Sequence, residues 1–89
     1  MAVAASKGCT AIAEILLEAG AQIDATDLSH QTPLHLACKG GHTEMAELLI
    51  QRGARLDVKD VYGRTAIHYA REKNGSGIVE LLKQNLARS

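Results

Sequence analysis

The chain has 89 residues, with 10 Lys and Arg against 10 Asp and Glu and a formal net charge of zero. That length holds one small domain at most, and the balanced charge argues against a nucleic-acid binder or an electrostatic membrane clamp, which carry a basic excess. Phe and Trp are absent and only Tyr62 and Tyr69 are aromatic, so base stacking on aromatic faces loses its support and the core must come from Leu, Ile, Val, Ala and Met.

Met1 to Ala5 read as the tail of a first helix that lacks its cap. A second helix begins near Thr10 and carries Ile12, Ile15 and Leu16 at i, i+3, i+4, one apolar stripe. Glu14, Glu18 and Glu47 interrupt the longest apolar stretches, so no segment reads as a membrane span. Gly20 ends this helix at a position suited to left-handed backbone. After a polar stretch, Thr32 is a good N-cap and Pro33 suits the first helical position. His35 sits three residues after the cap, where its imidazole can reach back as Glu does in a capping box. This helix runs to about Lys39, and Gly40-Gly41 breaks it. Another helix starts near Thr43 with Met45, Leu48 and Leu49 as its stripe and ends at Gly53. Ala54 to Tyr62 runs out as an extended, hairpin-like finger. The last helix pair starts near Thr65 and near Ser76, with Ile78, Leu81 and Leu82 repeating the stripe. Thr10, Thr43 and Ser76 are cap-type residues at aligned positions.

The order of these elements repeats. His35 and His68 stand 33 residues apart. The same offset pairs Asp27 with Asp60, Thr32 with Thr65, Leu34 with Ile67, Ala37 with Ala70, Leu48 with Leu81, and Leu49 with Leu82. It also pairs Gly20 with Gly53, Ala21 with Ala54, and Asp24 with Asp57. Agreement at Asp, Thr, His, Gly and Ala in one register goes beyond leucine periodicity. One helix pair with a single apolar stripe cannot close a core, whereas stacked pairs can.

The middle unit, residues 27–59, contains Thr32-Pro33-Leu34-His35-Leu36-Ala37, Gly41-His42, Leu48-Leu49 and Gly53-Ala54. It resembles the ankyrin repeat, whose signature is T-P-L-H-x-A at a period of 33. The resemblance covers nearly the whole chain: a partial repeat over 1–26, a full repeat over 27–59, and a C-terminal capping repeat over 60–89. It implies an all-α solenoid of stacked helix–turn–helix units joined by β-hairpin-like fingers. It further implies a non-catalytic module that binds another protein and needs no cofactor.

In proteins of this kind, partners usually contact the finger tips and the inner face of the first helices. Carried onto this sequence, that gives Leu28, Ser29 and Gln31 on one finger and Val61, Tyr62 and Arg64 on the next. The inner helices contribute Lys39, Arg71, Glu72 and Lys73. Tyr62 and Arg64 lead, because Tyr and Arg are enriched among interface hot spots.

Other chemistry finds little support. His35, Cys38 and His42 have metal-ligand spacings, but the Gly40-Gly41 break separates Cys38 from His42, and both histidines match signature positions. Cys38 near His35 lacks an orienting acid. Gly75-Ser76-Gly77 is not preceded by a strand pattern, so it is not a phosphate loop. No catalytic, metal or cofactor-binding residue is therefore expected. Two cysteines do not make a disulfide scaffold, and nothing at the N-terminus reads as a signal peptide, so an intracellular compartment, cytoplasmic or nuclear, fits best.

Some positions depart from the pattern. His30 replaces the finger Gly found at Gly63, and Ala66 replaces the signature Pro, which should loosen the helix start. Leu86 stands where Gly20 and Gly53 stand, so the last helix should run on toward Arg88. With Lys83, Gln84 and Asn85, it makes a polar array end. At the other end, Val3, Ile12 and Leu16 lack an upstream neighbour. Two repeats and a remnant fall short of the three needed for a stable array. Either the sequence is excised from a longer protein, or the N-terminal face is covered by self-association. Residues 1–26 carry one basic and three acidic residues, net −2, and residues 60–89 carry five basic and three acidic, net +2. That would favour head-to-tail contact only weakly under screening.

Overall fold

A computed structural model of the chain describes residues 2–73 and 76–88. Met1 and Gly75, which entered the sequence reading, lie outside the described residues. Six helices follow in order: α1 (Ala2–Lys7), α2 (Thr10–Glu18), α3 (Pro33–Gly40), α4 (Thr43–Gln51), α5 (Ala66–Glu72) and α6 (Ser76–Arg88). They pair as three helix–turn–helix units. α1, α3 and α5 pack side by side in an inner layer, and α2, α4 and α6 form an outer layer. Among the described residues none is in a β-strand, and no helix is long and apolar enough to cross a membrane.

Close stacking follows from small residues at one register position. Ala4, Ala37 and Ala70 recur at the repeat interval in the inner layer, and all three are buried. Ala13 and Ala46 do the same in the outer layer. Around them Leu34, Met45, Leu49, Ile78 and Leu82 are almost fully enclosed. The buried apolar surface therefore runs from unit to unit as one continuous core.

The helix ends form largely as the sequence predicts. Thr32 Oγ1 accepts the His35 N–H at 3.3 Å, and His35 Nδ1 accepts the Thr32 N–H at 3.1 Å, a reciprocal capping box closed by histidine. Gly20 and Gly53 have φ of 95° and 89°, the left-handed backbone that turns the chain out of α2 and α4. Leu86 has no such freedom, and α6 runs on through it to Arg88.

Two expectations are corrected and one holds. Thr10 and Thr43 are the first residues of their helices; the caps are Cys9 and His42, with no side-chain capping bond. The Gly40-Gly41 pair does end α3, with Gly40 its last residue and Gly41, at φ 70°, its left-handed cap. The fingers pair only at their tips. Asp27 N–H donates to the Gln31 carbonyl at 3.1 Å and Asp60 N–H to the Arg64 carbonyl at 3.0 Å, so each finger is a closed turn on two irregular arms.

Candidate protein-interaction surface

Each finger tip is set by an aspartate. Asp27 Oδ1 accepts the N–H groups of Ser29 and Gln31 at 2.8 and 3.0 Å. Asp60 Oδ1 accepts those of Tyr62 and Arg64 at 2.9 and 3.0 Å. A short acceptor that folds back on its own backbone stabilises a turn of this size. The turn closes with a left-handed residue, Gly63 at φ 74° in one finger and His30 at φ 59° in the other. The fingers lie side by side, since Val61 N–H donates to the Ser29 carbonyl at 3.0 Å.

The tips project apolar and aromatic side chains. Leu28 is fully exposed, Val61 is 53% exposed and Tyr62 is 71% exposed. The Arg64 guanidinium lies 5.6 Å from the Tyr62 ring centroid and 6.0 Å from that of Tyr69, within cation–π range. It also stands 3.8 Å from Glu72, and His68 Nε2 is 2.6 Å from the same carboxylate. On the inner helices Lys39, Arg71, Glu72 and Lys73 are exposed, and Lys39 Nζ lies 5.5 Å from the Tyr69 ring centroid. The structure thus brings Tyr62, Arg64, Glu72 and Lys39 around Tyr69. Ser29 is half-buried and meets the next finger through its backbone.

Gln31 departs from the expected pattern. It is only 4% exposed, and its Nε2 donates to Asp60 Oδ2 at 3.1 Å and to the Tyr69 hydroxyl at 3.2 Å. Its amide is used between repeats, so Gln31 is not available to a partner. Tyr69 donates its hydroxyl to Asp60 Oδ2. Burial raises the Asp60 pKa, but the hydrogen bonds from Tyr69, Arg64, Gln31 and Tyr62 outweigh it and hold the carboxyl well below the usual range. Burial, then the Asp60 bond and charge, raise the Tyr69 pKa. Asp60 and Tyr69 are the residues sequence reasoning missed. The recurrence of Asp27 at Asp60 was the available signal, since an aspartate repeating in a turn implies a backbone partner.

The two histidines of the rejected metal motif serve the stack in opposite directions. His35 Nε2 donates to the Arg64 carbonyl of the third unit at 2.9 Å. His42 Nε2 donates to the Ser6 carbonyl of the first at 3.0 Å. The His42 ring lies between Gly8 and Gly40, where an added Cβ would come within 2.6 and 2.5 Å of ring atoms. Cys38 between them is fully enclosed, and burial pushes its thiol up to about 12. Among the described residues no group of three His, Cys, Asp or Glu side chains is placed to hold a metal ion.

This geometry defines a scaffold of stacked helix–turn–helix repeats with exposed finger tips and inner helix ends. The family model for ankyrin repeats (3 copies) matches residues 1–88, and the chain belongs to that family. Among solved structures, the crystal structure of the human ASB11 ankyrin repeat domain is similar, with a TM-score of 0.87 and 27% identity. The match covers 92% of this chain and 37% of that one, so the chain spans little more than a third of its length. No curated protein sequence matches it. Ankyrin repeats are in general protein–protein interaction modules and non-catalytic scaffolds.

Proposed function

We propose that this chain is a non-catalytic module that binds another protein through its finger tips and the inner helix face. The observation that carries the reading is Tyr62, projecting into solvent with the Arg64 guanidinium against its ring. A rigid aromatic anchor beside a charge already partly ordered loses little freedom on binding, which suits a hot spot. Leu28 and Val61 flank it with exposed apolar surface, and Lys39, Arg71 and Lys73 line the helix ends beside it. The module needs no cofactor and works in a reducing compartment, cytoplasmic or nuclear, a setting that suits its two free cysteines. The test is a pull-down with the chain beside its Tyr62→Ala/Arg64→Ala variant. Loss of the captured protein with unchanged helical circular dichroism is expected. Capture unaffected by the double change would refute this surface.

A specific observation favours a second reading, self-association through the N-terminal face. Ile12 and Ile15 on α2 are 52% and 65% exposed, adjacent apolar side chains open to solvent. Light scattering over a concentration series decides it, and a monomer at every concentration would sink it.

A further inference from the structure

The inner layer carries more order than the reading above uses. Val3, Leu36 and Tyr69 occupy one register position in successive units. Val3 and Leu36 floor a shallow depression between α1 and α3, with Lys7 at its rim. Tyr69 floors the adjoining one between α3 and α5, with Lys39, Lys73 and Glu72 at its rim. A row of cations therefore follows the ends of the inner helices, beside a row of apolar floors.

Helix-end electrostatics account for only part of that row. A cation near a helix C-terminus offsets its partial negative charge, and Lys7, Lys39 and Arg71 stand in the last turns of α1, α3 and α5. The last turns of α2 and α4 carry no basic residue, although Arg52 caps α4, and α2 and α4 hold Glu14, Glu18, Glu44 and Glu47. In the first two units basic residues therefore sit on the inner layer and carboxylates on the outer, while α6 in the outer layer carries Lys83 and Arg88 beside Glu80. The one inner-layer carboxylate, Glu72, is occupied by His68 and Arg64. Among the described residues, no carboxylate lies within 4.0 Å of Lys7, Lys39 or Lys73. Lys39 Nζ donates to Gln31 Oε1 at 3.4 Å beside the Tyr69 ring, so it is positioned without a carboxylate to neutralise it.

Spacing narrows the ligand. Packed helices stand about 8–10 Å apart, so cations on successive inner helices recur at about that interval. A polyproline-II segment has three residues per turn and rises about 3.1 Å per residue. Side chains at i, i+3 and i+6 then lie on one side, about 9 Å apart. We propose that the inner face seats an extended acidic segment of a partner protein. Carboxylates at every third residue meet Lys7, Lys39 and Lys73, and apolar residues between them rest on Val3, Leu36 and Tyr69. This rests on the protein-binding reading and adds the chemistry of the partner.

The probe is a fluorescein-labelled peptide of four Glu-Leu-Pro repeats. Its controls are a composition-matched peptide with the glutamates contiguous and a Lys-Leu-Pro peptide of equal length. Fluorescence anisotropy with the full chain should show saturable binding of the first, weaker binding of the second and none of the third. Lys39→Glu/Lys73→Glu should lower affinity at least about tenfold, and Lys39→Gln/Lys73→Gln should lower it less. Glu14→Lys/Glu47→Lys on the outer layer should change it less than about twofold. Circular dichroism shows that each variant is folded. No saturable binding, equal binding of the contiguous peptide, or indifference to charge reversal at Lys39 and Lys73 overturns the proposal. Tighter binding of a single-stranded oligonucleotide or an anionic vesicle at the same face does so too. Peptides selected from a random library separate the two claims. Neutral or basic binders that still require Tyr62 and Arg64 end the acidic-segment inference and leave the protein-binding reading standing. Selected binders that ignore this face end both.

Discussion

His35 donates its Nε2 proton to the Arg64 carbonyl at 2.9 Å, while its Nδ1 accepts the Thr32 N–H at 3.1 Å. One buried imidazole therefore caps its own helix and ties it to the finger of the next unit, and the two bonds fix the tautomer. At the equivalent position one repeat later, His68 is 46% exposed and pairs with Glu72. Thr65 makes no side-chain cap there.

Replacing His35 by Ala leaves the buried Thr32 N–H without a partner and removes the bond to the Arg64 carbonyl that ties the two repeats, leaving that carbonyl the Asp60 N–H alone. We expect a loss of about 2–4 kcal/mol. His68→Ala removes only an exposed pair and should stay within about 0.5 kcal/mol. Urea unfolding of both variants checks this, and equal losses would contradict the assignment of His35 as an inter-repeat tie.

Asp60 gives the fold an acid sensitivity. Its folded pKa lies below the unfolded carboxylate value of about 3.9. Its contribution is therefore fully present above that value and is lost as the pH falls toward the depressed folded pKa. Unfolding curves at neutral pH should show Asp60→Asn well below the parent chain. The gap should narrow as the pH drops from about 5 to about 3. A gap independent of pH would mean that shape rather than charge holds the finger. Tyr69→Phe, which removes one donor to Asp60 and a partner of Gln31, should cost about 1–3 kcal/mol.

Most of the fold was legible because its signals are local. The Thr32 cap, the reach of His35, the glycines after α2 and α4, and the run of α6 through Leu86 each depend on a few neighbouring residues. Of the residues expected on an open N-terminal face, Val3 and Ile12 are exposed, whereas Leu16 packs partly against the core and Ile15 is exposed in its place. What escaped was set by distant residues. Gln31 looked like a finger-tip residue, yet Asp60 and Tyr69, 29 and 38 positions away, enclose its amide. Gly40 ends α3 as expected, but the second reason it is small, the His42 ring lying against it, needed the folded structure. At the surface, Tyr62 and Arg64 were visible by residue type. The row of Val3, Leu36 and Tyr69 needed the stack.

Position along the stack should outweigh residue type in the outer layer. Leu48 and Ile15 occupy the same register position one repeat apart, but Leu48 is 7% exposed and Ile15 is 65% exposed. Leu48→Ala should cost about 2–4 kcal/mol. Ile15→Ala should cost less than about 1 kcal/mol, since little surface is uncovered. Leu49, fully enclosed, should cost about 2–5 kcal/mol as Leu49→Ala and unfold so small a domain. If Ile15→Ala proved as harmful as Leu48→Ala, the N-terminal face would have to be covered in solution.

The two thiols should differ in reactivity by their burial. Cys38 is fully enclosed, and burial pushes its pKa up to about 12. At neutral pH it therefore holds almost no thiolate, the reactive form. Cys9 is only partly buried. An aromatic disulfide reagent added to the folded chain should modify Cys9 and leave Cys38 untouched. Both should react in concentrated urea. The rate at Cys38 then reports opening of the stack, because a reagent reaches it only when α3 separates from its neighbours. His35→Ala, which loosens α3 from the third unit, should speed that reaction by at least about tenfold if opening precedes modification. A Cys38 rate unchanged by His35→Ala and by low urea would show that the reagent enters the folded core.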